Sequence, residues 1–147
     1  MTHVRAQVRA AAVTLLTGLP TTGTRVFPTR SWPLSTNQLP ALLIYTSDET
    51  AEPGSLTRPI NLHRSVSLVV EAVASKCNGL DDLLDAMCAE VEAELAMDPS
   101  LTGLAKNSTL RRTEIEVRSD GDATVGIARM TFEVLYVTSS ENPHTQQ

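Results

Sequence analysis

A glycine-containing loop near the N-terminus is the first segment whose residue types could do chemistry. Residues 18–24 read GLPTTGT, and glycine-rich loops bind phosphate when their backbone N–H groups converge on it. A phosphate-binding loop of that type has a lysine after the second glycine and follows a strand. This segment lacks the lysine and follows a predicted helix. The sequence therefore favours a plain connecting loop.

Histidine and cysteine are the usual metal ligands and nucleophiles, and in this chain they are scattered. His3, His63 and His144 lie near the N-terminus, in a predicted strand and near the C-terminus. Cys77 and Cys88 match no metal-ligand spacing, and no motif marks a cysteine or serine as a nucleophile. We therefore expect no catalytic residue, no metal site and no cofactor, and we do not expect an enzyme.

The last third of the chain carries the clearest structural signal. Two β-rich runs, residues 109–117 and 125–138, are joined by residues 119–122, which read SDGD. Asp-Gly supplies the positive φ that a tight hairpin turn requires. A calcium loop would need further acidic ligands downstream, and these are absent. The sequence therefore predicts a C-terminal β-hairpin.

The remaining elements follow from periodicity and from chain breakers. Apolar residues recur with helical spacing in two segments, and Pro20 and Pro99 stop the two helices. Asn78 is predicted to cap the second helix, with Asp81 completing an arrangement like a capping box. The predicted order is a helix at 2–17, strands at 24–27 and 39–46, an exposed loop at 47–59, a strand at 62–74 and a helix at 78–98.

Length and composition favour one small domain. The chain has 147 residues, of which 41% are hydrophobic but only 3% aromatic, so the core must be aliphatic. We expect an α+β domain over residues 1–138, with a single mostly antiparallel sheet, two main helices packed on it and the C-terminal hairpin. Residues 139–147 are expected to form a flexible polar tail.

The net charge and the length of the apolar runs argue against two classes of partner, nucleic acids and membranes. A net charge of −5 argues against a dedicated nucleic-acid-binding protein. No apolar run reaches the length of a membrane span, and no secretory signal is present, so we expect no membrane partner and reduced cysteines.

The second predicted helix carries the residues best suited to contact another protein. It has seven acids between Asn78 and Asp98 and no Lys or Arg, and alanines form a stripe apart from its leucine face. A solvated face is one interpretation. The other is a contact surface, on which alanines permit close approach and acids meet a basic neighbour. The candidate interface residues on this helix are Asp85, Ala89, Glu92 and Ala93, and the candidate basic partners are Arg111, Arg112 and Arg118, or Arg58 and Arg64.

Two further segments are candidate interface regions. Trp32, in a proline-rich loop, either covers the core or anchors an interface. The exposed loop predicted at 47–59 contains Asp48, Glu49 and Glu52. These three acids are further candidate interface residues.

The order of the elements along the chain forms a recognisable layout. The chain opens with an amphipathic helix, followed by a proline-rich early strand and loop from Val26-Phe27-Pro28 to Pro40 and an alternating strand at 64–74. A single Leu-rich helix and a closing strand at 128–138, ARMTFEVLYVT, complete the layout. Over nearly the whole chain, this layout resembles the tail terminator, or tail completion, proteins of long-tailed bacteriophages.

The resemblance implies a structural role in a virion. Tail terminator proteins form a hexameric ring on the head-proximal end of the tail tube, stop its polymerisation and present a surface to the neck. The implied partners are further copies of the chain, the tail tube protein and a neck or head-completion protein. DNA would pass through the lumen without specific binding, and the protein would be made in the bacterial cytoplasm. Because the family has no catalytic residue, the resemblance carries none to this chain.

Three alternatives stay open at this point. Another neck protein of the same virion would share the size and the absence of catalytic motifs. A small enzyme with a site assembled from scattered residues would need a polar pocket with perturbed acids. A host-side regulatory binding module is the third.

Overall fold

A computed structural model describes residues 2–30, 38–54, 56, 58–76, 78–120 and 123–147. Within these residues the chain forms two helices and one five-stranded sheet, which confirms the predicted α+β class. Trp32, Cys77 and the hairpin turn residues Gly121 and Asp122 lie outside the described residues. The elements are α1 (Val4–Leu16), β1 (Val26–Phe27), β2 (Ala41–Pro53), β3 (Asn61–Ser75), α2 (Leu80–Met97), β4 (Asn107–Asp120) and β5 (Ala123–Ser139).

The sheet is mostly antiparallel and has the strand order β1-β2-β3-β5-β4. β4 and β5 form the predicted hairpin, paired from Asn107↔Leu135 to Asp120↔Ala123. β5 also pairs with β3 along its length, so it lies between β3 and β4. α2 is therefore a crossover that passes from β3 over β5 to the edge of the sheet. The short β1 makes the parallel pairing, with β2.

Both helices pack on one face of the sheet, where they enclose the main core. α1 buries a stripe at helical spacing, and α2 buries its leucine face. β3 and β5 alternate, so every second side chain points towards the helices. Each fully buried aliphatic side chain stabilises the fold by about 1.5–3 kcal/mol relative to exposure. The helix residues in this core are Val4, Val8, Ala12, Leu16, Leu80, Leu84, Met87, Cys88, Val91 and Leu95.

Gly126 lets α2 approach the sheet closely. A Cβ atom at this position of β5 would lie 2.8 Å from Leu84 Cδ1 and 3.0 Å from Leu80 Cδ2. Side chains do not approach a Cβ atom that closely in real structures, so Leu84 and Leu80 would have to shift to admit even a methyl group. The missing side chain therefore allows the close contact between α2 and β5.

A smaller apolar cluster lies on the opposite face of the sheet. Leu43, Val73 and Ile127 are buried there, on the three neighbouring strands β2, β3 and β5. Phe27 and Leu39 pack against them from the segment that leads into β2. This end of the sheet is therefore covered on both faces, as the continuous apolar run of β2 requires.

The prediction of an exposed loop at residues 47–59 is wrong for residues 47–53. Residues 47–53 continue β2, which passes through an irregularity between Thr46 and Glu49 and then pairs with β3 as far as Pro53↔Leu62. Acids and proline disfavour a strand locally, but an adjacent long strand offers paired backbone groups to this segment. Tertiary pairing therefore decides the structure of these residues.

The predicted cap of α2 is also wrong. Asn78 is exposed, and the N-cap is Gly79, with φ 72° and no side-chain cap hydrogen bond. Glycine adopts this left-handed conformation at little cost, and it sets the direction in which the chain enters the helix. Asp81 and Asp82 lie in the first turn, where negative charge is favoured by the helix dipole.

Candidate functional site

The outer face of α2 gathers the interface residues that the sequence predicts on this helix. Asp85, Ala89, Glu92 and Ala93 are all exposed. They lie together because the leucine stripe of the helix faces the sheet and turns this face to solvent. Ala86, Ala96 and Met97 extend the exposed face, and Met97 is 81% accessible.

Negative charge on this face is not neutralised by the described part of the chain. Among the described residues no lysine or arginine forms an ion pair with an acid of α2. Two acids are engaged locally. Glu90 accepts hydrogen bonds from Thr21, and the C-cap residue Asp98 accepts them from the Ser100 hydroxyl at 2.8 Å and the Thr102 N–H at 2.9 Å. The remaining acids project a negative field that favours a basic partner.

Cys88 lies buried beneath this acidic face. The buried thiol has its pKa raised to about 11, first by desolvation and then by the carboxylates of Glu92 and Asp85. A thiol that stays protonated is a poor nucleophile and a poor metal ligand. Cys88 therefore acts as a small apolar core residue.

The predicted basic partners on the hairpin do not lie beside α2. Arg111 pairs with Glu133 at 2.9 Å, and Arg112 pairs with Glu114 at 2.6 Å. The β4–β5 register places Arg112 on the sheet face opposite the helices. These exposed pairs contribute little to stability, about 0–1 kcal/mol each. Whether they contact a neighbouring copy stays a prediction.

Glu49 is not the exposed contact residue that the sequence predicts. Its side chain is 11% accessible and accepts hydrogen bonds from Arg5 at 2.8 Å, Arg64 at 3.2 Å and the Tyr136 hydroxyl. It is turned inward because residues after the β2 irregularity alternate in register with β3. Asp48 and Glu52, on either side, are exposed as predicted. The Glu49 group therefore joins α1, β2, β3 and β5.

His3 extends this ionic cluster to the beginning of α1. Its Nδ1 accepts a hydrogen bond from the Arg5 N–H at 3.0 Å, and its Nε2 lies 3.3 Å from Arg64 Nη1. Burial lowers the pKa of His3, and the charges of Arg5 and Arg64 lower it further. Burial also raises the pKa of Tyr136, as does its hydrogen bond to Glu49. Because Glu49 is bound by two arginines and a tyrosine, the cluster is suited to hold elements together.

A second polar network crosses the opposite face of the sheet. Glu71 accepts hydrogen bonds from the Tyr45 hydroxyl at 2.7 Å and from Arg129 Nε at 2.8 Å. Arg129 also reaches Glu114 at 3.4 Å, which links β2, β3, β5 and β4 in one row. The hydrogen bond to Glu71 is the main reason that the pKa of Arg129 is raised. Sequence reasoning missed this network, although a single acid within the apolar run of β3 was the available signal.

The glycine-containing loop at residues 18–24 binds a carboxylate of its own chain. Glu90 of α2 accepts a hydrogen bond from the Thr21 N–H at 3.0 Å and another from the Thr21 hydroxyl. Gly18 and Gly23 have positive φ and form the turn that presents this N–H group. The loop therefore fastens α1 to α2, in agreement with the connecting role that the sequence favours.

The C-terminal segment makes contacts that the sequence did not predict. The Val4 N–H donates to the Pro143 carbonyl at 2.9 Å, and the Gln7 side chain donates to the His144 carbonyl at 2.9 Å. The Gln147 N–H donates to the Val137 carbonyl at 2.7 Å. These bonds bring both ends of the chain to one side of the fold.

The described residues offer few features of other kinds of site. Among the residues that the structure describes, no three His, Cys, Asp or Glu side chains are grouped to hold a metal ion. Neither described helix is long and apolar enough to cross a bilayer. The strongest candidate functional site is therefore the acidic outer face of α2.

Comparison with known proteins does not identify a family for this chain. No protein-family model matches the chain, and no curated protein matches it. Among solved structures the chain is similar to a chain described as "Virion of native gene transfer agent (GTA) particle". The two are 14% identical with a TM-score of 0.35, over 90% of this chain and 92% of the other. At this identity and TM-score the similarity carries no argument about function.

Proposed function

We propose that this chain is a structural virion protein that ends the tail tube of a long-tailed bacteriophage. Copies of it form a ring, with six as the expected number, on the head-proximal end of the tube. The ring stops tube polymerisation and offers its other side to a neck or head-completion protein. The role is structural rather than catalytic, and it places the protein at the head–tail junction of the virion.

The proposal is carried by the outer face of α2. Four exposed alanines there lie among acids that find no cation in the described part of the chain. Such a face suits repeated contact with a basic surface, because small side chains allow close approach and charge selects the partner. The element order of helix, strands, helix and hairpin is the layout that the resemblance to tail terminator proteins requires.

A ring that ends a polymer needs contacts of two kinds. A head-to-tail contact between copies closes into a ring if its rotation closes, and otherwise it builds an open filament. The two sides of the ring must also differ, because one side binds the last tube subunits and the other must not bind further tube subunits. A net charge of −5 would let DNA pass the lumen with little adhesion.

Electron microscopy of the purified chain mixed with isolated tail tubes tests the proposal. We expect a ring on one end of each tube and an arrest of further tube growth. Asp85→Lys and Glu92→Lys should each reduce the fraction of capped ends. Glu141→Lys is the matched control, because it reverses one exposed charge away from α2.

Two outcomes would count against this function. Tube ends that remain bare at saturating protein would remove the capping role. Binding to portal-side proteins without binding to tubes would instead assign the chain to the neck. Equal capping by the α2 variants and the Glu141 control would leave a capping protein whose contact face is not α2.

A further inference from the structure

The outer edge of β4 is an unpaired strand edge. β4 ends the sheet order, and no other strand of the described residues pairs with its outer side. A register shift interrupts the strand between Leu110 and Arg112, and from there the strand runs unbroken to Asp120. An unpaired edge presents free N–H and C=O groups that can accept another strand.

Two apolar side chains on this edge are left uncovered. Ile115 and Val117 are each 52% accessible, although their neighbours on β5, Ala128 and Gly126, lie under the helices. They are uncovered because α2 packs mainly over β3 and β5. A groove of about 500 Å³ separates Val117 from the beginning of α2.

The charges of the same segment are self-complementary when the segment is reversed. On the face opposite the helices, β4 carries Arg112, Glu114, Glu116 and Arg118. We propose that two copies of this chain pair through their β4 edges, antiparallel, with Glu116 of each copy at the two-fold axis. In this register Glu114 lies opposite Arg118 of the second copy, and Arg118 opposite Glu114.

The apolar side chains agree with the same register. Ile115 lies opposite Val117 of the second copy, and Val117 opposite Ile115, so each exposed apolar side chain covers another. Thr113 lies opposite Ser119, where hydroxyl groups can share hydrogen bonds. Glu116 is the midpoint of the unbroken run from Arg112 to Asp120, so this register uses all of it.

Neighbouring registers are less favourable. Centring the pair on Ile115 places Arg112 opposite Arg118 and Glu114 opposite Glu116, so every charged pair is of like sign. Centring it on Glu114 places Thr113 opposite Ile115 and brings the irregularity at Leu110 into the interface. The proposed register has one like-charge contact, between the two Glu116 residues. Arg118 Nη2, 3.2 Å from Glu116 in each copy, offsets it.

The paired molecule would contain a continuous sheet with the helices of both copies on one face. A two-fold axis perpendicular to the sheet keeps the helix faces together and uses the same edge in both copies. Both β4 edges are then consumed, so the dimer is closed. Free protein would thereby be protected from open-ended association through β4.

Sedimentation of the full-length chain over a range of concentrations tests the pairing. We expect a monomer–dimer equilibrium. Val117→Lys should weaken it at least tenfold, because two lysines replace two apolar contacts. Leu56→Lys is the matched control, since Leu56 is 98% accessible and lies away from β4. A chain that stays monomeric at its highest soluble concentration would overturn the proposal.

A charge exchange within one chain tests the register. Glu114→Arg alone places like charges opposite each other and should weaken the dimer. The double variant Glu114→Arg, Arg118→Glu restores opposite charges across the axis and should recover part of the loss. Thermal unfolding of each variant separates this effect from damage to the fold. Failure of the double variant to recover association, with the fold intact, contradicts the register.

Cysteine cross-linking locates the axis directly. In Glu116→Cys the two new thiols would lie opposite each other, with Cα atoms about 4.5–5.5 Å apart, which is within the range for a disulfide. Glu114→Cys places its thiol opposite Arg118 and should cross-link far less. Peptide mass mapping identifies the linked residues. Equal linkage at positions 114 and 116 would contradict the proposed pairing.

The proposal does not depend on the role at the tail tube. If tube ends stay uncapped while the β4 dimer forms, the proposed function is contradicted and the dimer proposal stands. Capping by rings from a chain that forms no β4 dimer would remove this inference only.

Discussion

Glu49 is the residue that fastens α1 to the sheet. It binds Arg5 and Arg64 and accepts a hydrogen bond from Tyr136, and its side chain is 11% accessible. We expect Glu49→Gln to lower the free energy of unfolding by about 2–4 kcal/mol, because the largely buried Arg64 loses its counter-charge. Urea unfolding followed by circular dichroism measures the change.

An exposed ion pair provides the control for this variant. Glu133 pairs with Arg111, whose side chain is 57% accessible. Glu133→Gln should lower the free energy of unfolding by no more than about 1 kcal/mol. Equal losses in the two variants would show that the Glu49 cluster stabilises the fold no more than an exposed ion pair does.

His3 makes the stability of the same cluster depend on pH. Its pKa lies below the ordinary value of 6.5, chiefly because of burial and then because of Arg5 and Arg64. The unfolded chain therefore takes up the proton at higher pH than the folded chain does. The contribution of neutral His3 is complete above pH 6.5 and decreases as the pH falls through that value towards the folded-state pKa.

We expect His3→Asn to reduce this pH dependence. Asparagine can accept the hydrogen bond from the Arg5 N–H as an N-cap residue, but it does not titrate. The free energy of unfolding should fall less between about pH 8 and about pH 5 than in the parent chain. His63→Asn is the control for an exposed histidine. An unchanged pH profile in His3→Asn would assign the acid sensitivity to other groups.

At the scale of elements, the fit of α2 on β5 depends on one missing side chain. Gly126→Ala should lower the free energy of unfolding by about 1–2 kcal/mol, because the new methyl group lies 2.8 Å from buried Leu84. Chemical denaturation measures the loss. Leu84→Val trims the clashing group, so the double variant should lose less than the sum of the single losses. Strict additivity would contradict the close approach.

The elements that the sequence predicts well are those whose pattern is local. α1, α2 and the β4–β5 hairpin follow from apolar spacing and from the Asp-Gly turn, and the exposed face of α2 follows from the same spacing. The length of β2 does not, because residues 47–53 are polar and become a strand only by pairing with β3. The cap of α2 also differs from the prediction, because a left-handed Gly79 takes the place of a side-chain cap.

The ionic cluster at Glu49 could not be predicted, for a related reason. His3, Arg5, Glu49, Arg64 and Tyr136 are far apart in sequence and meet only when α1 packs on the sheet. Their residue types carry no spacing signal, and the sequence predicts Glu49 in an exposed loop. A contact that depends on tertiary packing leaves no periodic trace, whereas a surface on one helix does.

At the scale of the whole molecule, the two faces of the sheet differ in how their charged residues are paired. The helix face of the sheet presents the acids of α2 without ion pairs in the described residues. On the opposite face the arginines and acids of β4 pair with their neighbours. A partner drawn by charge should therefore meet the helix side first, with a rate that falls as salt rises.

The two ends of the chain are joined, and this gives a prediction for the whole fold. Residues 143–147 occupy the N–H of Val4 and the carbonyl of Val137, so deleting them should expose both groups to water. We expect the deletion to lower the melting temperature and to speed amide hydrogen exchange at Val4 and along the first turn of α1. Exchange at Val91, in the middle of α2, should change only as much as global stability does. Unchanged exchange at Val4 would show that the C-terminal segment is the flexible tail that its polar sequence predicts, and that the Glu49 cluster alone holds α1 in place.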